Sequence, residues 1–292
     1  MSDAIDCQLR LADGRLLGYA EYGDPVGTPI FYCHGFPASR LEGSLLDTTA
    51  KRLGARIVAA DRPGHGLSDF QPGRRLIDWS DDVIGLADKL GIDRFAVLGI
   101  SGGGPYTLAC AGKAPQRVAA AAIVCGLGPV YLDWAIRDMR WPVGLAFQLA
   151  QKRRCLLKWI VGGVVVPILK ARPQLIRAIL LAKGSSADRA VLQRPDIGNP
   201  LLVATREALR QGATGIVHDL ILYAHFWSLS FPTITTPIAL WHGQADATVP
   251  VSHTRYLAEV LPNARAHVLA GEGHFSLPVN HMAEVLAFLL AA

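Results

Sequence analysis

Three observations predict an α/β fold in which a helical insertion interrupts a mostly parallel sheet. Strand-like and helix-like segments alternate up to residue 126, a rhythm typical of parallel sheets. A glycine-rich turn at residues 99–104 joins an apolar strand directly to a helix. The alternation then stops, and residues 127–236 show helical periodicity without a convincing strand. We therefore expect an α/β core domain from residues 1–126 and 237–292, and a helical cap domain from residues 127–236.

The individual elements follow from apolar runs and from the turn residues that end them. Asp13-Gly14 separates two short strands and predicts a hairpin. Asp78 can cap the start of a helix, and Gly91 fits its C-terminal stop. Strands are expected at residues 8–11, 16–22, 30–33, 55–60, 94–99, 118–125, 238–242 and 266–269, and helices at residues 41–53, 78–90, 106–114, 252–261 and 279–290.

The composition suits a large buried core, and its charge is uneven. Hydrophobic residues make up 51% of the chain and charged residues 18%, with a net charge of +5. Residues 127–236 carry fourteen Lys or Arg and six Asp or Glu, a balance of +8, whereas the rest of the chain has a balance of −3. The basic residues are spread among apolar ones and are not interleaved with stacking aromatics. We interpret them as solvated helix faces and expect no nucleic-acid partner, while an anionic substrate or a membrane surface stays open.

The sequence favours a cytoplasmic location. Residues 1–6 are polar and lack the apolar core of a signal peptide. The longest apolar stretches, residues 118–132 and 159–169, are shorter than the roughly 20 residues that a membrane span needs. The five cysteines are odd in number and show no metal-ligand spacing, which predicts free thiols in a reducing compartment. We expect no membrane span, no metal and no cofactor, and either a monomer or a homodimer.

The glycine-rich turn carries a Gly-x-Ser-x-Gly pattern at Gly99, Ser101 and Gly103. Between a strand and a helix, this pattern predicts a tight turn that exposes the serine hydroxyl as a nucleophile. The pattern also occurs by chance, and a glycine-rich turn can instead hold a nucleotide. A dinucleotide site needs an acidic residue roughly twenty positions further on, where this chain has alanines. No Lys-Ser or Lys-Thr pair follows the glycines, so a phosphate-binding loop is also disfavoured.

A nucleophilic serine needs a base and a carboxylate that orients it. Asp246 follows a late predicted strand and His274 follows the last one, so both lie at the sheet edge where ligands bind. Asp133 and Asp219 lie in the insertion, where we expect them to be held less rigidly. The other histidines lie in or beside strands, at helix starts or in the insertion, where local packing explains them. We predict that Asp246 orients His274.

An oxyanion hole would complete such a site. Two backbone N–H groups must face the oxygen that becomes negative during attack on a carbonyl. Gly102, directly after the serine, supplies one. The turn at residues 34–37, His-Gly-Phe-Pro, follows the third strand and supplies the other through Phe36. We expect His34 to brace this turn and to transfer no proton.

Together these motifs resemble the cap-bearing members of the α/β-hydrolase superfamily, in particular the small serine carboxylesterases. Four segments carry the resemblance: residues 34–37, residues 61–68 (Asp-Arg-Pro-Gly-His-Gly-Leu-Ser), residues 99–103, and Asp246 followed by His274. The resemblance implies an eight-stranded, mostly parallel sheet with helices on both faces and catalysis without a cofactor. Many relatives have a bulky residue after the nucleophile, so Gly102 implies unusual room beside the oxyanion hole.

The expected function is hydrolysis of short-to-medium acyl or aryl esters, with a small-molecule ester as substrate. The alternatives are a carbon–carbon bond hydrolase, a lactonase or an aminopeptidase with the same triad, and a ligand receptor with a vestigial triad. Substrate preference depends on the cap. Its apolar residues could line an acyl pocket or form the cap's own core, and we favour the core: Leu145, Phe147, Leu149, Leu156, Trp159, Ile160, Val164, Val165, Ile168 and Leu169.

Overall fold

A computed structural model describes residues 5–292, apart from the side chain of Lys183. Residues 1–4, which belong to the predicted polar N-terminus and to the predicted core domain, lie outside the described residues. Within the described residues, eight strands form one sheet in the order β1-β2-β4-β3-β5-β6-β7-β8. Their bounds are β1 Cys7–Arg10, β2 Leu16–Gly23, β3 Thr28–Cys33, β4 Ala55–Ala60, β5 Phe95–Ile100, β6 Val118–Val124, β7 Ile238–Gly243 and β8 Ala264–Leu269.

The sheet is mostly parallel, as predicted. β2 pairs antiparallel with both β1 and β4, and all other neighbouring strands pair in parallel. Gly14 has φ +88° in the turn between β1 and β2, a backbone conformation that glycine adopts readily, which confirms the predicted hairpin. The parallel strands all end at one edge of the sheet, so the loops after β3, β5, β7 and β8 meet there.

Thirteen α-helices are found in the described part of the chain. Their bounds are α1 Asp47–Leu53, α2 Trp79–Lys89, α3 Gly104–Lys113, α4 Asp133–Arg137, α5 Trp141–Lys152, α6 Arg154–Ile160, α7 Val166–Ala171, α8 Gln174–Lys183, α9 Ser186–Leu192, α10 Pro195–Ala208, α11 Thr214–Tyr223, α12 Ser252–Val260 and α13 Ser276–Leu290. A π-helical turn, Val161–Val165, joins α6 to α7. None of the helices is both long and apolar enough to cross a bilayer.

Helices cover both faces of the sheet because consecutive strand residues point to opposite sides. Val97 of β5 packs in the apolar cluster that contains Leu86 of α2, Leu108 of α3 and Leu257 of α12. The next residue, Leu98, packs in the opposite cluster with α1 and α13. Helices α4–α11 all fall between β6 and β7, where the sequence predicted a helical insertion.

Two local predictions differ from the structure. The helix expected at residues 41–53 divides into a 3₁₀ helix, Arg40–Leu46, followed by α1. Arg40 and Glu42 are buried there and bond to Asp61 and to Gly35 respectively, contacts that apolar periodicity does not register. Asp78 does not cap α2 through its side chain, because its carboxylate accepts the N–H of Arg75 and closes a short 3₁₀ turn before the helix.

Candidate active site

Ser101 lies on a strained turn between β5 and α3, as the sequence predicted. Its φ is +54°, a left-handed conformation that side chains other than glycine rarely adopt. The flanking glycines have no room for a side chain. A Cβ on Gly99 would lie 2.2 Å from Thr107 Oγ1, and one on Gly103 would lie 2.0 Å from the carbonyl oxygen of Cys33. Close backbone packing therefore fixes the turn and projects Ser101 from the end of the sheet.

Asp246 and His274 meet at the same edge of the sheet. Asp246 follows β7 and His274 follows β8, and Asp246 Oδ2 lies 2.7 Å from His274 Nδ1. The other carboxylate oxygen accepts the N–H groups of Thr248 and Val249 at 2.7 and 2.8 Å. The loop after β7 thus holds the Asp246 carboxylate in place. The carboxylate accepts the Nδ1–H of His274, so Nε2 of the ring is available to accept a proton.

The charges of this pair stabilise each other. Burial alone would lower the pKa of His274, but the Asp246 carboxylate and its hydrogen bond raise it above the usual value, with further contributions from the charges of Asp188 and Glu42. Burial would raise the pKa of Asp246, but the charge on His274 and hydrogen bonds from His242 and His274 bring it well below the usual range. Asp246 is therefore ionised at neutral pH, and the His274 imidazolium is stabilised.

Ser101 and His274 face the same cavity. This cavity has a volume of about 800 Å³, and its wall includes Ser101, Gly102, His274 and Phe36. Among the described residues the Ser101 hydroxyl has no side-chain hydrogen-bond partner, so it is not bonded to His274 in this conformation. Hydrogen bonds between nucleophile and base are often long without substrate and tighten when it binds.

The two predicted oxyanion residues are neighbours at the cavity wall. A Cβ on Gly102 would lie 2.6 Å from Phe36 Cβ, which shows how closely the two segments approach. The N–H of Phe36 makes no hydrogen bond to any described residue. The neighbouring residue Gly35 is held at both of its backbone polar groups. Its N–H donates to Glu42 Oε2 at 2.6 Å, and its carbonyl oxygen accepts a hydrogen bond from Arg62 Nη2 at 2.8 Å.

The room that Gly102 was expected to leave is filled, so that expectation is wrong. Tyr223, the last residue of α11, is fully buried and donates its hydroxyl hydrogen to the carbonyl oxygen of Gly102 at 2.9 Å. A Cβ on Gly102 would lie 2.8 Å from this hydroxyl. The Tyr223 ring also packs edge-on against the Phe36 ring, with ring centroids 5.5 Å apart. An aromatic side chain from the insertion therefore occupies the space between Gly102 and the turn at residues 34–37.

A second residue of the insertion holds the loop that carries His274. Asp188 of α9 is fully buried and accepts three backbone N–H groups at the start of α13, from His274 at 3.2 Å, Phe275 at 2.7 Å and Ser276 at 2.9 Å. A carboxylate at a helix N-terminus is favoured by the unpaired N–H groups and by the helix dipole. Asp188 thus fixes the backbone position of His274 and adds negative charge beside its ring.

A buried ionic cluster joins α11 to the turn at residues 34–37. Asp219 accepts Arg62 Nε at 2.8 Å, the Tyr106 hydroxyl at 2.8 Å and a guanidinium N–H of Arg74. Arg62 in turn donates to the carbonyl oxygens of His34 and Gly35. The prediction that Asp219 would be held loosely is therefore wrong. Burial opposes its ionisation, yet the charges of Arg62, Arg74 and His65 bring the pKa of Asp219 well below its usual range.

The motif at residues 61–68 is structural. Asp61 is buried and accepts the backbone N–H of Arg40 at 2.6 Å, Arg40 Nη1 at 2.8 Å and the N–H of Leu67 at 2.9 Å. A Cβ on Gly66 would lie 2.1 Å from Asp61 Oδ2. His34 accepts the N–H of Arg62 at Nε2, 3.1 Å away, which agrees with the expected bracing role.

The apolar insertion residues fall into two groups, and the preference for a cap core is confirmed only for Phe147, which is buried in the main apolar cluster, and for Leu149 and Leu169, which pack against it. Leu145, Phe147, Leu149, Ile160, Val165 and Leu169 line the cavity. The four others are exposed and do not line it: Leu156, Trp159, Val164 and Ile168. The cavity wall is therefore largely apolar and is supplied in large part by the insertion.

In the described part of the chain, Cys125, Asp246 and His274 form the one group with metal-ligating atoms close together, within 4.8 Å of one another. Burial raises the pKa of the Cys125 thiol well above its usual value, with a further contribution from the Asp246 charge. Asp246 and His274 already bond to each other. This group is the Asp–His pair of the candidate site with one buried thiol beside it.

Sequence reasoning missed Asp188, Asp219, Tyr223 and Glu42. Asp188 has a local signal, since Ser185 and Asp188 form a capping box at the start of α9. Asp219 has another, because it is the lone acidic residue of the apolar helix α11 and an isolated charge there predicts a buried partner. Asp188 and His274 are 86 residues apart in the sequence, and Asp219 and Arg62 are 157 residues apart. No local pattern indicates either contact.

Comparisons with known proteins agree with this architecture. A family described as "alpha/beta hydrolase fold" matches residues 28–156. The chain is 31% identical over 264 residues to the dihydrolipoyllysine-residue acetyltransferase component of the acetoin cleaving system of Pseudomonas putida; the match covers 89% of this chain and 62% of that relative. Thus the chain spans less than two thirds of that relative's length.

Solved structures share the whole fold. An alpha/beta hydrolase fold protein from Nakamurella multipartita superposes with a TM-score of 0.73 at 22% identity, covering 98% of both chains. An esterase from Exiguobacterium antarcticum superposes with a TM-score of 0.72 at 16% identity, covering 98% of this chain and 100% of that one. With its eight-stranded sheet, its serine turn after β5 and the family match over residues 28–156, the chain has the α/β-hydrolase fold.

Proposed function

We propose that the chain is a serine hydrolase that cleaves carboxylic esters. One observation carries the proposal: Ser101, the Asp246-bonded His274, Phe36 and Gly102 all border one apolar cavity. A strained serine, an oriented imidazole and two backbone segments that can donate N–H groups are the parts that acyl transfer needs.

In the proposed reaction His274 Nε2 takes the proton of the Ser101 hydroxyl as Ser101 Oγ attacks the ester carbonyl. The carbonyl π electrons move onto oxygen, and the resulting oxyanion accepts the N–H groups of Phe36 and Gly102. When the C–O bond breaks, the His274 imidazolium returns its proton to the leaving alcohol. Water, deprotonated by the same imidazole, then attacks the acyl-enzyme and releases the carboxylic acid and free Ser101.

Asp246 supports both proton transfers without taking a proton. Its carboxylate fixes the tautomer with hydrogen on His274 Nδ1 and stabilises the imidazolium. The raised pKa of His274 matches this role, because the charged ring forms transiently in each half-reaction.

We further propose that residues 127–236 act as a cap over the core formed by residues 1–126 and 237–292. The insertion supplies much of the apolar cavity wall, which favours an acyl or aryl group over a charged one. A volume of about 800 Å³ accommodates short-to-medium acyl chains. Carbon–carbon bond hydrolysis, lactone opening and amide cleavage use the same groups, so substrates of those classes belong in the test.

The test is turnover of p-nitrophenyl esters of rising chain length, alongside lactone, amide and vinylogous β-diketone substrates. Ester hydrolysis by the wild type should fall by about 10⁴-fold or more in Ser101→Ala, as for other catalytic serines. Ser228→Ala is the matched control, since Ser228 also has a positive φ (+57°) but does not line the cavity. Unchanged ester turnover in a folded Ser101→Ala variant would overturn the proposal.

A further inference from the structure

Exposed apolar side chains concentrate on one part of the insertion. Of the thirteen large apolar side chains exposed among the described residues, eight lie between Trp141 and Ile179. The two tryptophans are 76% and 66% exposed, which is unusual for such large apolar groups. These eight define what we call the insertion patch: Trp141, Leu145, Leu156, Trp159, Val164, Val165, Ile168 and Ile179.

The insertion patch lies within a purely basic stretch. Residues 140–183 contain nine Lys or Arg and no Asp or Glu. Lys152, Arg153, Lys158 and Arg172 are exposed, and none of their side chains forms an ion pair or hydrogen bond with a described residue. Their charge is therefore not neutralised by the protein itself.

Helical geometry places apolar and basic groups side by side. On α5, Trp141, Leu145 and Lys152 are exposed at helical spacing, while Phe147 and Ala150 on the opposite face are buried. Along α6, the π-helical turn and α7, the exposed Leu156, Trp159 and Ile168 alternate with Lys158 and Lys170. The buried residues of the same stretch are Leu157, Val161 and Val166. The inner faces thus pack on the protein, and the outer faces present apolar side chains among cations.

Such an outer face matches an anionic lipid surface. Tryptophan and aliphatic side chains settle at the boundary between headgroups and acyl chains, and neighbouring Lys and Arg side chains reach the lipid phosphates. A second copy of the chain fits the patch poorly. A two-fold symmetric contact would place the same basic surface on both sides, and like charges would face each other across it.

We propose that the insertion patch docks this protein on the surface of an anionic lipid bilayer. Trp141 and Trp159 enter the headgroup region, with Lys152, Arg153 and Lys158 beside lipid phosphates. Leu145, Val165 and Ile179 are exposed and also line the cavity, so the cavity opens on the docked side. The docking itself does not depend on ester hydrolysis, because Trp141, Trp159, Lys152 and Lys158 do not line the cavity.

The test is co-sedimentation of the full chain with phosphatidylglycerol vesicles and with phosphatidylcholine vesicles. We expect the protein to bind the anionic vesicles and to bind the zwitterionic ones weakly. It should dissociate as salt rises from 0.1 to 0.5 M, because the Debye length falls from about 10 Å to less than half of that and the attraction between basic side chains and lipid phosphates is screened. Tryptophan fluorescence should shift to shorter wavelength in the bound state.

Two double variants locate the binding surface. Lys152→Glu with Lys158→Glu should weaken binding by about 30-fold or more, since each basic side chain at an anionic surface contributes about fivefold. Trp141→Ser with Trp159→Ser should weaken binding while leaving the charge unchanged. The matched controls are Val26→Ser and Lys89→Glu, which alter exposed residues outside the insertion. Both variants should bind the vesicles as the wild type does.

Three outcomes would overturn the proposal. The first is no sedimentation with phosphatidylglycerol vesicles. The second is sedimentation that neither double variant reduces, because another surface would then be responsible. The third is a wild-type oligomer that the tryptophan double variant converts to a monomer without any vesicle binding, because the insertion patch would then be a self-association surface.

Discussion

The hydroxyl of Tyr223 donates a hydrogen bond to the carbonyl oxygen of Gly102, 2.9 Å away. Tyr223 ends α11, which lies in the insertion, and Gly102 directly follows the proposed nucleophile. Asp219, one turn earlier on the same helix, bonds to the arginine that holds the carbonyls of His34 and Gly35. One helix of the insertion, α11, therefore contacts both segments of the proposed oxyanion hole and supports the proposed active site.

Tyr223→Phe tests this contact. Loss of the hydroxyl leaves the Gly102 carbonyl without this hydrogen bond, so the Gly102–Gly103 peptide can tilt and shift the adjacent Gly102 N–H, which weakens the proposed oxyanion hole in the transition state. We expect kcat to fall about fivefold, corresponding to about 1 kcal/mol for one hydrogen bond, with little change in KM. Steady-state kinetics on a p-nitrophenyl ester measures this. Tyr131→Phe, whose ring packs on Phe226 and Trp227 and does not line the cavity, is the control. A rise in KM with unchanged kcat would assign Tyr223 to substrate binding instead.

Gly102→Ala tests how tightly Gly102 packs against Phe36 and Tyr223. The new Cβ would lie 2.6 Å from Phe36 Cβ and 2.8 Å from the Tyr223 hydroxyl, so one of these segments must move. Displacing one oxyanion donor costs about 10²–10³ in kcat in other enzymes, and we expect a loss of that size. Gly163→Ala is the control, since a Cβ there meets only Trp159 at 3.9 Å. Wild-type kcat in Gly102→Ala would show that the new Cβ does not displace the Gly102 N–H, and would contradict the tight packing of this turn.

Asp188→Asn tests the positioning of His274 through a pH profile. The base must be neutral to accept a proton, so kcat/KM falls below the His274 pKa. The charge of Asp188 helps to raise that pKa. Removing the charge destabilises the imidazolium and lowers the pKa, so the acidic limb should move to lower pH. Asp133→Asn, on the exposed start of α4, should leave the limb in place. An unshifted limb in folded Asp188→Asn would reduce Asp188 to a helix cap.

Asp219→Asn tests the buried cluster through stability. The change leaves Arg62 and Arg74 buried without a counter-charge, which costs about 3–5 kcal/mol of unfolding free energy in comparable cases. Urea denaturation measures this. Asp81→Asn breaks an exposed ion pair with Lys113 and should cost less than about 1 kcal/mol. Equal losses in the two variants would contradict the account.

The same cluster predicts how acid affects stability. The folded state lowers the pKa of Asp219 below its usual value, so ionised Asp219 stabilises the fold at neutral pH and above the unfolded-state pKa. This contribution is lost as pH falls below the ordinary carboxylate range toward the folded-state pKa. The unfolding free energy of the wild type should therefore drop more steeply with acid than that of Asp219→Asn.

The sequence predicts the sheet, the insertion and the Asp–His pair because each has a local signal. Buried parallel strands show as apolar runs, and Gly99 and Gly103 mark a turn that admits no Cβ. The contacts of Asp188, Asp219 and Tyr223 have no such signal, because each joins the insertion to a distant part of the core. Gly102 illustrates the limit: its missing side chain predicts a gap, and only the packed chain shows that Tyr223 fills it.

The most direct measurement of the central claim is covalent labelling with a fluorophosphonate, mapped by mass spectrometry. An activated serine attacks phosphorus, expels fluoride as the P–F bond breaks and keeps the phosphonyl group, whereas an ordinary serine does not react. We predict one labelled site at Ser101 in the wild type, strong reduction in His274→Ala, and loss of that label in Ser101→Ala with Ser228→Ala labelled normally. A folded wild-type protein that stays unlabelled at Ser101, or that labels equally without His274, would contradict the account and favour a binding role for the cavity.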